Sequence, residues 1–160
     1  MKKVLYIIPG WRETCRRKPY KEIARIAEEK GYEVVCKNVD WDKTLSSQLF
    51  SIEKDDIIFG FSLGAILAWM VAQEYQCRHL ILSSMTPHRS FKDPKDKKAL
   101  IDLINSKFVN DVIHNLGRKH KAKKQTIIYG DKEEEPGDIL VLNTGHELSN
   151  NYISVISGLI

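Results

Sequence analysis

The segment Ile57-Ile58-Phe59-Gly60-Phe61-Ser62-Leu63-Gly64-Ala65 sets a serine between two glycines, in the pattern Gly-x-Ser-x-Gly. A short apolar run precedes it, and a helix-forming run from Ala65 to Ala72 follows. That order is the sequence form of a nucleophile elbow, a strained strand-to-helix turn that lifts a serine hydroxyl clear of the chain above a parallel sheet. Side chains at Gly60 or Gly64 would collide with the neighbouring strand and helix. A helix beginning near Leu63 aims its amide N–H groups and its positive dipole end at the place where negative charge would develop. The plainer account of the same residues is an ordinary strand, turn and helix with a serine cap. The rest of the chain weighs against that account, because it supplies the remaining parts of a nucleophilic site. A neutral serine hydroxyl needs an adjacent base. His146, in Asn143-Thr144-Gly145-His146-Glu147, follows the last expected strand, and a run of carboxylates from Asp131 to Glu135 follows the one before it.

These residues need a frame, and the hydrophobic pattern provides one. Lys3 to Ile8 is a nearly continuous apolar run, as expected of a strand covered on both faces. Tyr32 to Val39 alternates partially and suits an edge. Asp56–Phe59, His79–Ser83, Thr126–Tyr129 and Asp138–Leu142 complete six strands. Between them the spacing predicts helices over Pro19–Lys30, Thr44–Ile52, Leu63–Tyr75, Lys97–Asn115 and Glu147–Ile160. The Leu63–Tyr75 segment is apolar nearly all round, so it should be buried. A long polar loop runs from Ser84 to Asp96. Strands alternating with helices imply an α/β fold with a mostly parallel, doubly wound sheet. No repeat, linker or low-complexity stretch divides residues 1–160, which are read as a single domain.

The composition of the 160 residues, with 42% hydrophobic and 29% charged, suits one soluble domain with a real core. No apolar run is long enough to cross a membrane. The opening Met1-to-Trp11 segment is too short for a signal peptide and lacks a small-residue cleavage site, so it reads as the first strand. Cys15, Cys36 and Cys77 are odd in number and lack metal-ligand spacing. They read as three small buried side chains in a reducing, cytoplasmic setting, with neither a disulfide framework nor a metal. A net charge of +4 does not point to nucleic acid. The basic run Arg118–Lys124 lacks interleaved aromatics and falls at the far end of the sheet from Ser62.

Taken together, elbow, turn, acid and histidine resemble the α/β-hydrolase superfamily over nearly the whole chain. The resemblance implies strand order 2-1-3-4-5-6, absence of the N-terminal antiparallel strands, and a compact, cap-poor domain similar to the small serine esterases. It implies Ser62 as nucleophile, His146 as base and an acid between them in sequence. In the family's Gly-x-x-Asp pattern, Gly130-Asp131-Lys132-Glu133 puts Glu133 in the acid's place, with Asp131 as the alternative. The acid would hold the imidazole in one tautomer and stabilise the imidazolium. The oxyanion hole would combine the backbone N–H groups of Leu63 and Trp11. Pro9-Gly10 stands where the family often has His-Gly, and a backbone donor tolerates that change. Gly10, Arg12 and His88 fall on the strand-end face where ligands bind in such sheets. With Arg16 and Arg17, Arg12 could form a basic rim for an anionic substrate, or a solvated loop. His88 could equally be a surface residue, and His79, His114 and His120 take the bland reading. The implied activity is hydrolysis of a small carboxylic ester or thioester, with no cofactor, metal, nucleic acid or membrane partner. The alternative is a binding protein that retains the fold with a decayed triad.

Overall fold

The computed structural model describes residues 2–160. Six strands, β1 Val4–Ile8, β2 Glu33–Cys36, β3 Ile57–Phe61, β4 His79–Ser83, β5 Lys124–Gly130 and β6 Ile139–Val141, form one sheet. Its order is β2-β1-β3-β4-β5-β6, as the resemblance implies, and every pairing is parallel, as the alternation of strands and helices predicts. Because the strands run the same way, the loops after all of them gather at one edge, where a site can be assembled from distant parts of the chain.

Side-chain alternation divides the core into two layers. Leu5, Ile7, Ile57, Phe59 and Ile81 pack with Tyr20, Ile23, Tyr152 and Ile156 from helices α1 (Lys18–Glu29) and α5 (Asn150–Leu159). Ile8, Ile58, Leu80 and Leu82 point the other way. They meet α2 (Leu63–Glu74) and α4 (Ser106–Asn115). Every residue of α2 except Trp69 and Glu74 is buried, as its all-round apolar sequence requires.

The structure departs from the sequence reading where side chains compete with the backbone. The helix expected over 44–52 is a single 3-10 turn, Ser46–Gln48. There the Ser46 N–H donates to Asp111 Oδ2 at 3.0 Å. The Gln48 carboxamide accepts from the Asp40 N–H and donates to the Asp40 carbonyl, both at 2.8 Å. Leu45 and Ile52 are still buried. The helix expected over 97–115 is two helices, α3 (Pro94–Leu103) and α4. Asn105 breaks the run by capping α4, its side chain accepting from the Phe108 N–H at 2.7 Å. Asp93 caps α3 by accepting from Lys95 and Asp96, and Pro94 takes the first helical position. The final helix begins at Asn150 instead of Glu147, capped by Ser149.

The cysteine reading is corrected outright. Cys15 and Cys36 form a disulfide, with Cα atoms 6.3 Å apart, that ties the loop after β1 to the end of β2. Their spacing in sequence carries no trace of this, because the pairing is made by the parallel alignment of β1 and β2. Only Cys77 is the buried free thiol expected. The cysteine argument for a reducing, cytoplasmic setting falls with this pairing. Among the described residues, no helix is long and apolar enough to cross a membrane.

Candidate active site

Ser62 stands between the last residue of β3 and the first of α2, with φ 56° and ψ −125°. A non-glycine residue in that region is strained, and the surrounding structure must enforce it. Packing does so here. A Cβ on Gly60 would lie 2.6 Å from Ala65 Cα, and one on Gly64 would lie 2.1 Å from the Pro9 carbonyl oxygen. Neither contact is possible, so both glycines are required for α2 to approach β3 and the turn after β1. The Ser62 N–H donates to the Ser83 carbonyl at 2.9 Å, which fixes the elbow to β4.

The structure brings His146 and Glu133 to this serine. His146 Nε2 lies 2.9 Å from Ser62 Oγ, and His146 Nδ1 lies 2.7 Å from Glu133 Oε1. The histidine side chain is 53% exposed, whereas Glu133 is only 9% exposed. Phe61 packs beside the imidazole, with ring centroids 5.2 Å apart. The other carboxylate oxygen of Glu133 accepts from Ser84 Oγ at 2.6 Å and from the Gly130 N–H at 2.7 Å. Burial pushes the Glu133 carboxyl up, but the hydrogen bonds from His146, Ser84 and Gly130 together outweigh it and hold it below the usual glutamate value. An ionised, oriented carboxylate fixes Nδ1 as the protonated nitrogen and leaves Nε2 free to accept from the serine.

Asp131, the alternative acid, lies elsewhere. It accepts from the backbone N–H groups of Asn143 and Thr144, each at 3.0 Å. Those two donors hold its carboxyl below the usual range. Asp131 therefore anchors the loop that carries His146, while Glu133 faces the imidazole.

Around the serine, the N–H groups of Leu63 and Trp11 are available to an oxyanion. Leu63 is the first residue of α2, so its N–H has no partner within the helix. Among the described residues no acceptor takes the Trp11 N–H. The turn that presents it is built by residues the sequence reading did not single out. The Gly10 N–H donates to Tyr20 Oη at 3.1 Å, and the buried Tyr20 hydroxyl donates in turn to Glu13. Burial pushes the Tyr20 phenol up to about 12. Arg17 pairs with Glu13 from outside. The Glu13 N–H returns to the Gly10 carbonyl at 3.0 Å, and Arg12 takes a left-handed φ of 54°.

A cleft of about 330 Å³ opens on Ser62, lined by Gly10, Trp11 and Leu63 together with Leu100 and Leu103 of α3. Gly10 is thus at the site as expected. Arg12 and His88 are not. Arg12 is exposed and lies over the Trp11 ring, 5.0 Å from its centroid. His88 packs edge-on against Trp69, with centroids 5.0 Å apart, on the far side of the loop after β4. Each follows the expected strand, with a left-handed φ at Arg12 and a 3-10 turn over His88–Phe91, and neither side chain lines the cleft on Ser62. Ser84 and Tyr152 are the further site residues that sequence reasoning missed. The Tyr152 hydroxyl lies 3.0 Å from Ser84 Oγ and donates to the Ile128 carbonyl at 2.7 Å. The one available signal was position, since Ser84 follows β4 beside the end of β5.

No protein-family model matches this chain, and no curated protein matches it. Solved structures do. An Agrobacterium vitis S4 protein assigned as a hydrolase superposes with a TM-score of 0.72 at 13% identity, covering 99% of this chain and 86% of that one. The α/β hydrolase domain-containing protein 10 from mouse gives 0.71 at 13% identity, covering 98% and 87%. Est1E from Butyrivibrio proteoclasticus gives 0.64 at 12%, covering 99% and 85%. The chain therefore has the fold of the α/β-hydrolase superfamily. Between β4 and β5 the chain carries two short helices, α3 and α4. At these identities the likeness concerns the fold, and the chemistry rests on the residues described above.

Proposed function

We propose that this protein is a serine hydrolase that cleaves a carboxylic ester or thioester through an acyl-enzyme on Ser62. The observation that carries this reading is the continuous hydrogen-bonded line from Ser62 Oγ to His146 Nε2, 2.9 Å, and from His146 Nδ1 to Glu133 Oε1, 2.7 Å. In the first half-reaction Ser62 Oγ attacks the carbonyl carbon and its proton passes to His146 Nε2. Glu133 stabilises the imidazolium that forms. The N–H groups of Leu63 and Trp11 receive the negative charge on the carbonyl oxygen, a contribution of about 3–4 kcal/mol for each well-placed donor. When the tetrahedral intermediate collapses, His146 returns the proton to the departing alcohol or thiol. A water then attacks the acyl-enzyme with His146 again as base, and the acid product leaves Ser62 regenerated.

The test is labelling with a fluorophosphonate, which reports an activated serine without requiring the natural substrate. Wild type should label, Ser62→Ala and His146→Ala should not, Glu133→Ala should label far more slowly, and Asp131→Ala should retain labelling. A folded wild type that does not react would overturn the reading and leave a binding protein on a hydrolase fold.

A further inference from the structure

Resting on that reading, we propose that the acyl group of the substrate is an uncharged, linear apolar chain that runs from Ser62 between Trp11 and α3, past Leu100 to Leu103. Three observations converge on it. The cleft that opens on Ser62 is walled by Trp11, Phe61, Leu63, Leu100 and Leu103, and no lysine or arginine lines it. A second hollow of about 300 Å³ continues from it along α3, sharing Thr86, Leu100 and Leu103 and adding Ser90, Asp96 and Ala99. Leu100 packs partly against the core while Leu103 keeps 53% of its surface exposed, so the rim of the cleft along α3 carries apolar surface that protein does not cover.

The direction of the chain follows from the proton transfers. His146 Nε2 must reach the leaving oxygen or sulfur, so the leaving group belongs on the histidine side. There another hollow of about 390 Å³ is lined by Glu13, Arg17, Tyr20, His146 and Glu147, and it meets the cleft on Ser62 at Glu13, Phe61 and His146. The acyl portion, bonded to Ser62 Oγ, extends the opposite way, into the apolar groove. Among the described residues the charged side chains lining the groove are carboxylates, Glu13, which is paired with Arg17, and Asp96 at the far end, and the latter disfavours an acyl chain with an anionic end. An aliphatic chain leaves water for the face of α3, and the gain grows with each methylene covered.

The experiment is a chain-length series of p-nitrophenyl esters, from acetate through butyrate and hexanoate to octanoate, with fluorophosphonate labelling of Ser62 alongside. At about two- to fourfold per methylene, kcat/KM for hexanoate should exceed that for acetate by at least about tenfold. Leu103→Asn, at an exposed position, should fold as wild type does, and Leu100→Val, which shortens a half-buried side chain without adding polarity, should keep the fold; both should cut the hexanoate-to-acetate ratio severalfold. A monomethyl succinate-type p-nitrophenyl ester should outrun its free-acid counterpart. A flat chain-length profile with Ser62 labelled, or a steep profile that both folded variants keep, would overturn the groove alone. No turnover of any ester together with no labelling would overturn the hydrolase reading and the groove with it.

Discussion

Gly130 and Thr144 stand in backbone contact: a Cβ placed on Gly130 would lie 2.2 Å from the Thr144 carbonyl oxygen and 2.6 Å from that of Gly145. This approach lets the turn carrying Glu133 and the loop carrying His146 meet. It is reinforced on both sides, by Asp131 accepting from Asn143 and Thr144 and by the Lys132 N–H donating to the Thr144 carbonyl at 3.0 Å. Gly130→Ala must push the two loops apart, since neither neighbour is a flexible side chain. The expected result is a loss of about 1–3 kcal/mol of stability and a fall in kcat/KM of more than about a hundredfold, measured by thermal melts and ester hydrolysis. Gly117→Ala, where the Cβ would meet nothing within 4 Å, is the matched control and should change neither.

The two carboxylates of this loop should separate by the kind of damage their loss does. Glu133→Gln keeps the shape of the side chain but removes the charge that favours the imidazolium, and can impose the wrong tautomer on His146. It should lower kcat by about a thousandfold to ten-thousandfold with little change in melting temperature. Asp131→Asn retains one acceptor for its two backbone donors. It should cost about 1 kcal/mol of stability and only a small factor in kcat. If the kinetic losses come out the other way round, Asp131 is the acid.

Ser62, His146 and Glu133 were legible because each sits at a strand end fixed by a strong apolar run, and because chain order leaves few candidates. The sheet order was legible only through the resemblance to the α/β-hydrolase superfamily, since apolar runs locate strands without ordering them in space. What stayed hidden depends on contacts between distant segments. Ser84 bonds Glu133 only because β4 pairs with β5, and Tyr152 reaches Ser84 only because α5 folds back across that layer. Cys15 meets Cys36 only because β1 and β2 align in parallel. Arg12 and His88 were misplaced for the converse reason. Position after a strand gives the face of the sheet, while a local left-handed φ or a 3-10 turn decides where the side chain points.

Tyr20 should behave as a positioning residue for the oxyanion turn. Its hydroxyl is the acceptor for the Gly10 N–H, next to Trp11, whose N–H is a donor of the proposed oxyanion hole. Tyr20→Phe leaves that amide without its partner in a buried setting, a cost of about 1–3 kcal/mol. If the turn relaxes, kcat should fall by about tenfold while KM moves little, since the donor acts on the transition state more than on bound substrate. An unchanged kcat beside a lowered melting temperature would show a purely structural tyrosine.

The disulfide closes a loop between residues 21 apart in sequence that begins after the oxyanion turn and contains all of α1. Chain-entropy reasoning puts its worth at about 3 kcal/mol. For a domain of this size that is about 6–12 °C in melting temperature. Reduction by a dithiol, or Cys15→Ser, should lower the melting temperature by that amount, and the reductant should have no further effect on the variant. A reductant-insensitive wild type, or two free thiols on titration besides Cys77, would show that the pair does not form in solution.

His79 should make the fold acid-sensitive well above the carboxylate range. It is buried at the start of β4, with Nε2 2.8 Å from Thr126 Oγ1. Burial, aided by the nearby charge of Lys124, pulls its pKa from 6.5 down to about 4. The folded-state value is the depressed one, so the sign is fixed. Above about pH 6.5 both states hold the ring neutral and it costs nothing. Between pH 6.5 and about 4 the unfolded chain takes up a proton that the fold refuses, and stability falls as the pH is lowered. The full shift corresponds to about 3 kcal/mol. Melting curves from pH 8 to pH 4 should therefore slope more steeply for wild type than for His79→Gln, with the difference concentrated below pH 6.5. Parallel curves, or an imidazole that titrates by NMR near its ordinary value, would show that the ring is not held neutral in the fold.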